Sequence, residues 1–204
     1  PENCMYQYQF AAVKSLPFEK SAAYFKNGIR IASELGCKIM QCNSGWGYFD
    51  EPRQDAWDRC VEMMGILCDF AEGYGIDLAM ESLRPEESNL VTRLEDAEKM
   101  VRDVGHRNLK VLADTTAIGV AGEELEDWFK AFGNRIIHMH FVDGNPYGHL
   151  IWGDGCRNLQ KDLEVCRKYG YKGCFGQEIT DPKYFKDPIA HDFRNIKMFE
   201  KYMD

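Results

Sequence analysis

Short apolar segments alternate with longer amphipathic segments along the 204-residue chain. The short segments predict five β-strands over residues 37–42, 76–80, 109–113, 136–141 and 174–177. Apolar residues spaced three or four positions apart predict helices over residues 15–36, 56–72, 92–104, 123–132, 159–169 and 195–202. This alternation is typical of βαβ units, in which consecutive strands lie parallel in one sheet.

A polar side chain stands at or just past the end of each predicted strand: Asn43, Glu81, Asp114, His140 and Glu178. In a (β/α)8 barrel the carboxyl ends of all strands meet at one mouth, where the active site lies. In an open, doubly wound sheet those ends form a line, so four such side chains rarely meet. The sequence contains neither G-x-G-x-x-G nor G-x-x-x-x-G-K-[ST], the motifs of nucleotide-binding folds. We therefore predict an α/β fold, the (β/α)8 TIM barrel.

The length of the chain is short for such a barrel. Eight strands with their helices need roughly 250 residues, whereas five units are predicted here, and residues 1–12 resemble the tail of a strand and its loop. We expect that the first two to three βα units are absent from this chain, and that residues 1–204 form a single, partial TIM-barrel domain. Such a domain would expose unpaired strand edges.

The composition limits the classes of partner. The chain has 33 acidic and 25 basic residues, a net charge of −8, which argues against nucleic acid because phosphate binding needs a basic face. No apolar run approaches the roughly 20 residues of a membrane span. The 8 cysteines form no C-x-x-C pair, which is typical of reduced core thiols in a cytoplasmic protein. We expect a cytoplasmic protein that binds neither membranes nor nucleic acid.

Four of the strand-end residues have the chemistry of a metal site: Glu81, Asp114, His140 and Glu178. Carboxylates packed closely repel one another, and a cation relieves that repulsion. Oxygen-rich ligation with one imidazole suits Mn²⁺, Mg²⁺ or Co²⁺ better than a thiolate metal, and Zn²⁺ is possible. Taken alone, each residue has a simpler explanation; Asp114, for example, could cap a helix that starts at Thr115. The four together predict one divalent metal ion.

These residues stand in four short motifs: Glu81-Ser-Leu-Arg-Pro-Glu-Glu87-Ser-Asn89, Ala113-Asp-Thr115, His138-Met-His140 and Gly176-Gln-Glu178. Together they resemble the sugar isomerase/epimerase group of xylose-isomerase-like barrels, and within it the ketose 3-epimerases of the tagatose and psicose 3-epimerase type. The resemblance implies that the four residues named above bind the metal. It also implies that Glu81 and Glu178 are the catalytic acid/base pair, which epimerises a ketose through a metal-bound enediolate.

Residues around the motifs are candidates for binding the sugar. The resemblance places Glu87 against the first hydroxyl of the sugar, and we add Arg84, Asn89, Trp46 and His149 as further candidates. Each has an alternative role. Arg84 could pair with an acidic neighbour such as Glu86, Trp46 could anchor its loop, and His149 could be a loop histidine facing solvent.

Two departures from the family pattern leave the substrate open. Ala117 stands where these epimerases usually carry a histidine, and Pro146 stands where they carry an arginine. A dehydratase or lyase acting on a keto-sugar or inosose with the same metal site is therefore an alternative, as is a non-catalytic fragment. The zinc-dependent endonuclease branch of the superfamily is disfavoured by the acidic net charge. The resemblance also implies a homo-oligomer, a dimer or tetramer.

Overall fold

The structure, a computed structural model, describes residues 8–12 and 16–202. It forms two compact units, which divide between Leu112 and Ala113, and each is described separately below. The strand tail predicted over residues 1–12 lies mainly outside the described residues, and residues 8–12 form no strand. The prediction of a single domain stays a prediction.

The first unit is built from parallel strands that alternate with helices. Its elements are α1 (Leu16–Glu34), β1 (Ile39–Asn43), α2 (Arg53–Glu72), β2 (Asp77–Glu81), α3 (Leu94–Val104) and the first part of β3 (Leu109–Asp114). The parallel register pairs Asn43 with Glu81 and Glu81 with Leu112. The carboxyl ends of these strands therefore lie along one edge of the sheet.

Helix α2 shows why the core of this unit forms where it does. Its buried residues recur every three or four positions: Ala56, Trp57, Cys60, Met63, Met64, Leu67, Cys68 and Ala71. That spacing places them along one side of the helix, away from solvent. Strand β2 is buried over its last four residues, as expected for a strand in a parallel sheet that is covered on both faces.

The second unit continues from the end of β3. Its elements are α4 (Thr115–Val120), α5 (Leu125–Phe132), β4 (Ile136–His140), β5 (Asp143–Asn145), β6 (Tyr147–Leu150), α6 (Leu159–Lys168), β7 (Cys174–Gly176) and α7 (Pro188–Glu200). Strands β4 and β7 are parallel, with His140 opposite Gly176. Strands β5 and β6 form a separate antiparallel hairpin.

Three sequence predictions about elements were wrong or incomplete. The hairpin β5–β6 was missed because its Gly, Asn and Pro residues are typical of a loop. Helix α7 begins at Pro188, ahead of the predicted residue 195, because the Asp187 side chain caps it and Pro188 suits the first turn. Helix α3 begins at Leu94, two residues after the predicted start at residue 92, with Arg93 at its N-cap.

The cysteines divide into two groups. Cys42, Cys60, Cys68 and Cys166 are buried, and burial raises the pKa of the Cys68 thiol to about 12. Three others are exposed, at Cys37, Cys156 and Cys174, so the expectation of core thiols holds for only part of the set. Within residues 8–12 and 16–202, no helix combines the length and apolar character that a membrane span requires.

Candidate metal centre

The second unit brings three of the four predicted metal ligands together. Asp114 ends β3, His140 ends β4, and Glu178 follows β7. The Nδ1 atom of His140 lies 3.0 Å from Oε2 of Glu178 and 3.8 Å from Oδ2 of Asp114. Asp114 and His140 are 3% and 6% exposed, and the Glu178 side chain is 39% exposed. One ligand atom from each of the three lies within 4.8 Å of the others, a spacing that suits a single cation.

Asp114 uses its two carboxylate oxygens differently. Oδ1 accepts hydrogen bonds from the backbone N–H groups of Thr116 and Ala117, at 2.6 and 3.2 Å, and so caps α4. Oδ2 faces His140 and His149 instead. Burial of the carboxyl opposes its ionisation, yet hydrogen bonds and charge from the two histidines hold the pKa of Asp114 well below its usual range. Asp114 therefore caps α4 with one oxygen and directs the other at the two histidines, and its role as a metal ligand stays a prediction.

His149 belongs to the same cluster. It lies on β6, is 6% exposed, and places Nε2 3.0 Å from Oδ2 of Asp114 and 3.3 Å from Oε2 of Glu178. The alternative of a solvent-facing loop histidine was therefore wrong. Beyond the presence of a histidine, no sequence signal indicated this contact, because the hairpin that carries it was not predicted.

Thr115 ties two strand ends together. Its Oγ1 lies 2.7 Å from the carbonyl oxygen of Val142 and 3.1 Å from that of His140, and it accepts the backbone N–H of Val142 at 2.9 Å. The carbonyl of Thr115 in turn accepts a hydrogen bond from Nη1 of Arg157. Sequence reasoning missed this role, since a threonine after a strand has many possible partners. These bonds fix the backbone beside both Asp114 and His140.

The segment after β6 folds around the carboxylate of Asp143. This residue is fully buried and accepts backbone N–H groups from Gly144, Gly153, Gly155 and Arg157, all between 2.8 and 3.0 Å. A Cβ atom at Gly155 would lie 2.6 Å from the carbonyl oxygen of Gly144, so only glycine fits there. Four donors compensate the burial of this charge.

The fourth predicted ligand, Glu81, lies in the first unit. It ends β2 and is 4% exposed, and its Oε2 accepts a hydrogen bond from Nε2 of Gln41 at 2.5 Å. Gln41 was not singled out from the sequence. The signal available was its position, a polar residue in a short and otherwise mostly apolar strand close to the strand end.

Asn89 and Trp46 lie in the loops that follow β2 and β1. The Asn89 side chain makes two hydrogen bonds of 2.8 Å with Gly47, accepting from its N–H and donating to its carbonyl. The half-buried Trp46 ring packs edge-on against Phe49, with ring centroids 5.7 Å apart. Both residues therefore shape these loops, and their contact with substrate stays a prediction.

Arg84 pairs with Glu87. Its Nε donates to Oε2 of Glu87 at 2.9 Å, its Nη2 donates to Oε1, and Glu86 lies farther away at 3.5 Å. The expected pairing with an acidic neighbour is thus observed, with Glu87 as the main partner. Both side chains keep some exposure, 19% for Arg84 and 29% for Glu87, and their roles towards a sugar stay predictions.

Proteins similar to this chain include an epimerase and an isomerase. Fructoselysine 3-epimerase of Shigella flexneri is 27% identical over 201 residues, which cover 98% of this chain and 72% of that protein. Inosose isomerase of Bacillus licheniformis is 28% identical over 153 residues, which cover 71% of this chain and 55% of that protein.

Solved structures show the same fold. A D-tagatose 3-epimerase-like protein superposes with a TM-score of 0.84 at 22% identity, covering 96% of this chain and 73% of that one. The IOLI protein, solved with a bound zinc atom, gives a TM-score of 0.78 at 18% identity, covering 97% of this chain and 76% of that one. The family model described as xylose isomerase-like TIM barrel matches residues 3–199. The predicted fold class is thereby confirmed, and the chain belongs to the xylose isomerase-like TIM barrel family.

Proposed function

We propose that this chain is a divalent-metal-dependent sugar isomerase or epimerase, and that its reaction is the 3-epimerisation of a ketose. The observation that carries this proposal is the convergence of Asp114, His140 and Glu178 in the second unit. Support also comes from the names of the similar proteins, which include a 3-epimerase and an isomerase.

Glu81 is the fourth ligand in this proposal. Its register partner Leu112 lies two residues before Asp114 on β3. The Glu81 side chain is buried, and acidic residues are seldom buried unless they are paired. The donor set of Glu81, Asp114, His140 and Glu178 suits Mn²⁺, Mg²⁺ or Co²⁺, with Zn²⁺ also possible.

A divalent cation held here would act as a Lewis acid on the carbonyl and the neighbouring hydroxyl of a ketose. One of the glutamates Glu81 and Glu178 takes the proton from the carbon that carries this hydroxyl, which leaves an enediolate. The other glutamate returns a proton to the opposite face of the same carbon, and this inverts the centre. The partial exposure of Glu178 supports its role, because a catalytic carboxylate must come within hydrogen-bond reach of its substrate.

The remaining candidates bind the sugar around this centre. Arg84 and Glu87 form an ion pair in which both groups keep some exposure, so a sugar hydroxyl can bond to either partner. Trp46 offers an aromatic face, and Asn89 holds the loop that carries Trp46. Ala117 and Pro146 replace two residues typical of the epimerases, so the identity of the sugar is determined with a panel of substrates.

The test is proton exchange followed by NMR in D₂O. The metal-loaded chain should incorporate deuterium at C3 of its ketose and form the 3-epimer, within a panel of free and phosphorylated ketoses, fructoselysine and inososes. Glu178→Gln should reduce this exchange by roughly 100-fold or more, the contribution of a general acid or base. The matched control Glu164→Gln removes an exposed carboxylate of α6 that accepts a hydrogen bond from Gln160, and it should keep the wild-type rate.

Two outcomes would contradict the proposal. Loss of water with formation of an enone, in place of epimerisation, would favour the dehydratase or lyase alternative. Metal retention without exchange on any sugar of the panel would favour a non-catalytic chain.

A further inference from the structure

The second unit contains a donor that the four-ligand scheme does not use. We infer that His149 is a second imidazole ligand of the metal ion, through its Nε2 atom. The inference rests on the proposed function in one respect, that a divalent ion occupies this centre. With His149 included, the second unit alone supplies two carboxylates and two imidazoles.

The two histidines face the same pair of oxygen atoms. Nε2 of His149 lies 3.0 Å from Oδ2 of Asp114 and 3.3 Å from Oε2 of Glu178. Nδ1 of His140 lies 3.8 Å and 3.0 Å from those same two atoms. The nitrogens therefore approach one oxygen pair from two different strands, β6 and β4.

These separations match those of ligands that share an ion. Ligand atoms bound at about 2.1 Å from one ion stand about 3.0 Å apart in an octahedral arrangement and about 3.4 Å apart in a tetrahedral one. Three of the four distances fall at or within these limits, and the fourth, between His140 and Asp114, is 3.8 Å. The cluster needs little rearrangement to hold an ion.

A histidine that only oriented Asp114 from behind would contact that carboxylate alone. Nε2 of His149 also reaches Glu178, which follows a different strand. In addition, Oδ1 of Asp114 is occupied by the N–H groups of Thr116 and Ala117, so Oδ2 is the oxygen directed to the centre. Nε2 of His149 therefore contacts one oxygen of each carboxylate, which is the position of a metal ligand and not that of a group that only orients Asp114.

The backbone holds His149 in this position. Strand β6 pairs with β5 through Leu150 and Asp143, and Asp143 is fixed by four backbone N–H groups. Leu150 packs in a buried cluster with Ile151 and Tyr184. The imidazole is therefore preset by the hairpin, as precise metal sites require.

A second imidazole changes which metal the site prefers. Imidazole suits Zn²⁺ and other late first-row metals, whereas carboxylate-only sites suit Mg²⁺ and Mn²⁺. Loss of His149 should therefore weaken Zn²⁺ binding far more than Mg²⁺ binding.

The experiment counts imidazoles directly, by X-ray absorption at the zinc edge of the full chain loaded with Zn²⁺. We expect two imidazoles in the wild type, one in His149→Gln, and two in the control His191→Gln. The ring of His191 lies in α7 and packs on Tyr184 in the preceding turn. Competition with a chelator should show Zn²⁺ binding to His149→Gln weakened by more than the roughly 10- to 100-fold that loss of an outer-shell partner costs.

The outcomes separate this inference from the proposed function. One imidazole in the wild type would overturn the inference and leave the metal-dependent enzyme intact. Failure of the wild type to retain Zn²⁺, Mn²⁺, Co²⁺ or Mg²⁺ would overturn both. A wild-type count of one imidazole overturns the inference even if His149→Gln does not fold, since that measurement needs no variant.

Discussion

Individual carboxylates in this chain each bind two or more groups from different parts of the structure. Asp114 caps α4 with one oxygen and faces two histidines with the other. Asp103 similarly joins two elements, since its Oδ2 accepts hydrogen bonds from Nε1 of the buried Trp57 at 2.9 Å and from Nζ of Lys99 at 2.6 Å. Such a residue links the stability of the fold to its ionisation.

Asp103 predicts an acid-sensitive part of the stability. The hydrogen bond from Lys99, and then that from Trp57, lower the pKa of Asp103 below its usual value. Because the folded pKa is the lower one, this stabilisation is complete above about pH 5 and is lost as the pH falls through about 4 and below. Urea unfolding between pH 3 and pH 7 should show a smaller acid loss of stability in Asp103→Asn than in the wild type.

The control for that series is Asp58→Asn, which alters an exposed carboxylate of α2 that accepts from Gln54. Its pH profile should parallel that of the wild type. Equal acid sensitivity of Asp103→Asn and the wild type would show that Asp103 does not couple stability to pH.

At the scale of elements, the segment between β6 and α6 is ordered by one buried charge instead of by regular structure. Backbone N–H groups of Gly153, Gly155 and Arg157 converge on Asp143. Arg157 extends the arrangement to α4 and α6 through Thr115 and Asp162. The backbone around Gly155 is therefore in close contact with Asp143 and Gly144, although most of the segment contains neither helix nor strand and several of its residues are exposed.

Close packing of this segment predicts that Gly155→Ala is destabilising. The added Cβ would overlap Asp143 and stand 2.6 Å from the carbonyl oxygen of Gly144, and both groups are held in place. We expect a loss of about 1–3 kcal/mol in the free energy of unfolding, as for other overpacked sites, measured by urea denaturation.

The control is Gly65→Ala in α2, where a Cβ meets nothing within 4 Å. Alanine is the better helix former by about 0.5–1 kcal/mol, so this variant should gain stability. A Gly155→Ala chain as stable as the wild type would mean that the segment yields more easily than its contacts indicate.

At the scale of the whole molecule, the part of the chain that the structure describes contains three parallel strands in the first unit and two in the second, whereas a complete barrel has eight. It covers 72% of the length of fructoselysine 3-epimerase. The predictions of a homo-oligomer and of a cytoplasmic location stay predictions. The net charge is −8, and the carboxylates of Asp114 and Glu178 lie close together. We therefore expect cations to change the stability of the chain more than other ligands do.

Divalent metal should therefore stabilise the entire chain. A ligand that binds only the folded state adds about 2.7 kcal/mol to the free energy of unfolding when its concentration is 100 times its Kd. We expect the melting temperature to rise on addition of Zn²⁺ or Mn²⁺ and to fall back with a chelator, by scanning calorimetry. Glu178→Gln should lose most of this response, whereas Glu164→Gln should keep it. A melting temperature that no divalent ion raises would contradict a metal site.

Much of the candidate site could be predicted because it depends on local pattern. Asp114 and His140 end strands whose apolar periodicity is visible in the sequence, and Glu178 follows the next one. The contact of His149 could not be predicted in this way. It lies 35 positions from Asp114, on a hairpin whose glycines and proline are typical of a loop.

The sequence by itself determined the order of the parallel strands and of most helices, the family and the residues at the strand ends, since apolar spacing and short motifs are local properties of the chain. Only the tertiary structure decided that Arg84 is paired with Glu87, that Asn89 holds Gly47, and that Asp143 organises a loop. Those choices depend on which polar groups are left without water when the chain packs. A buried donor or acceptor must then take whatever partner the fold brings within reach.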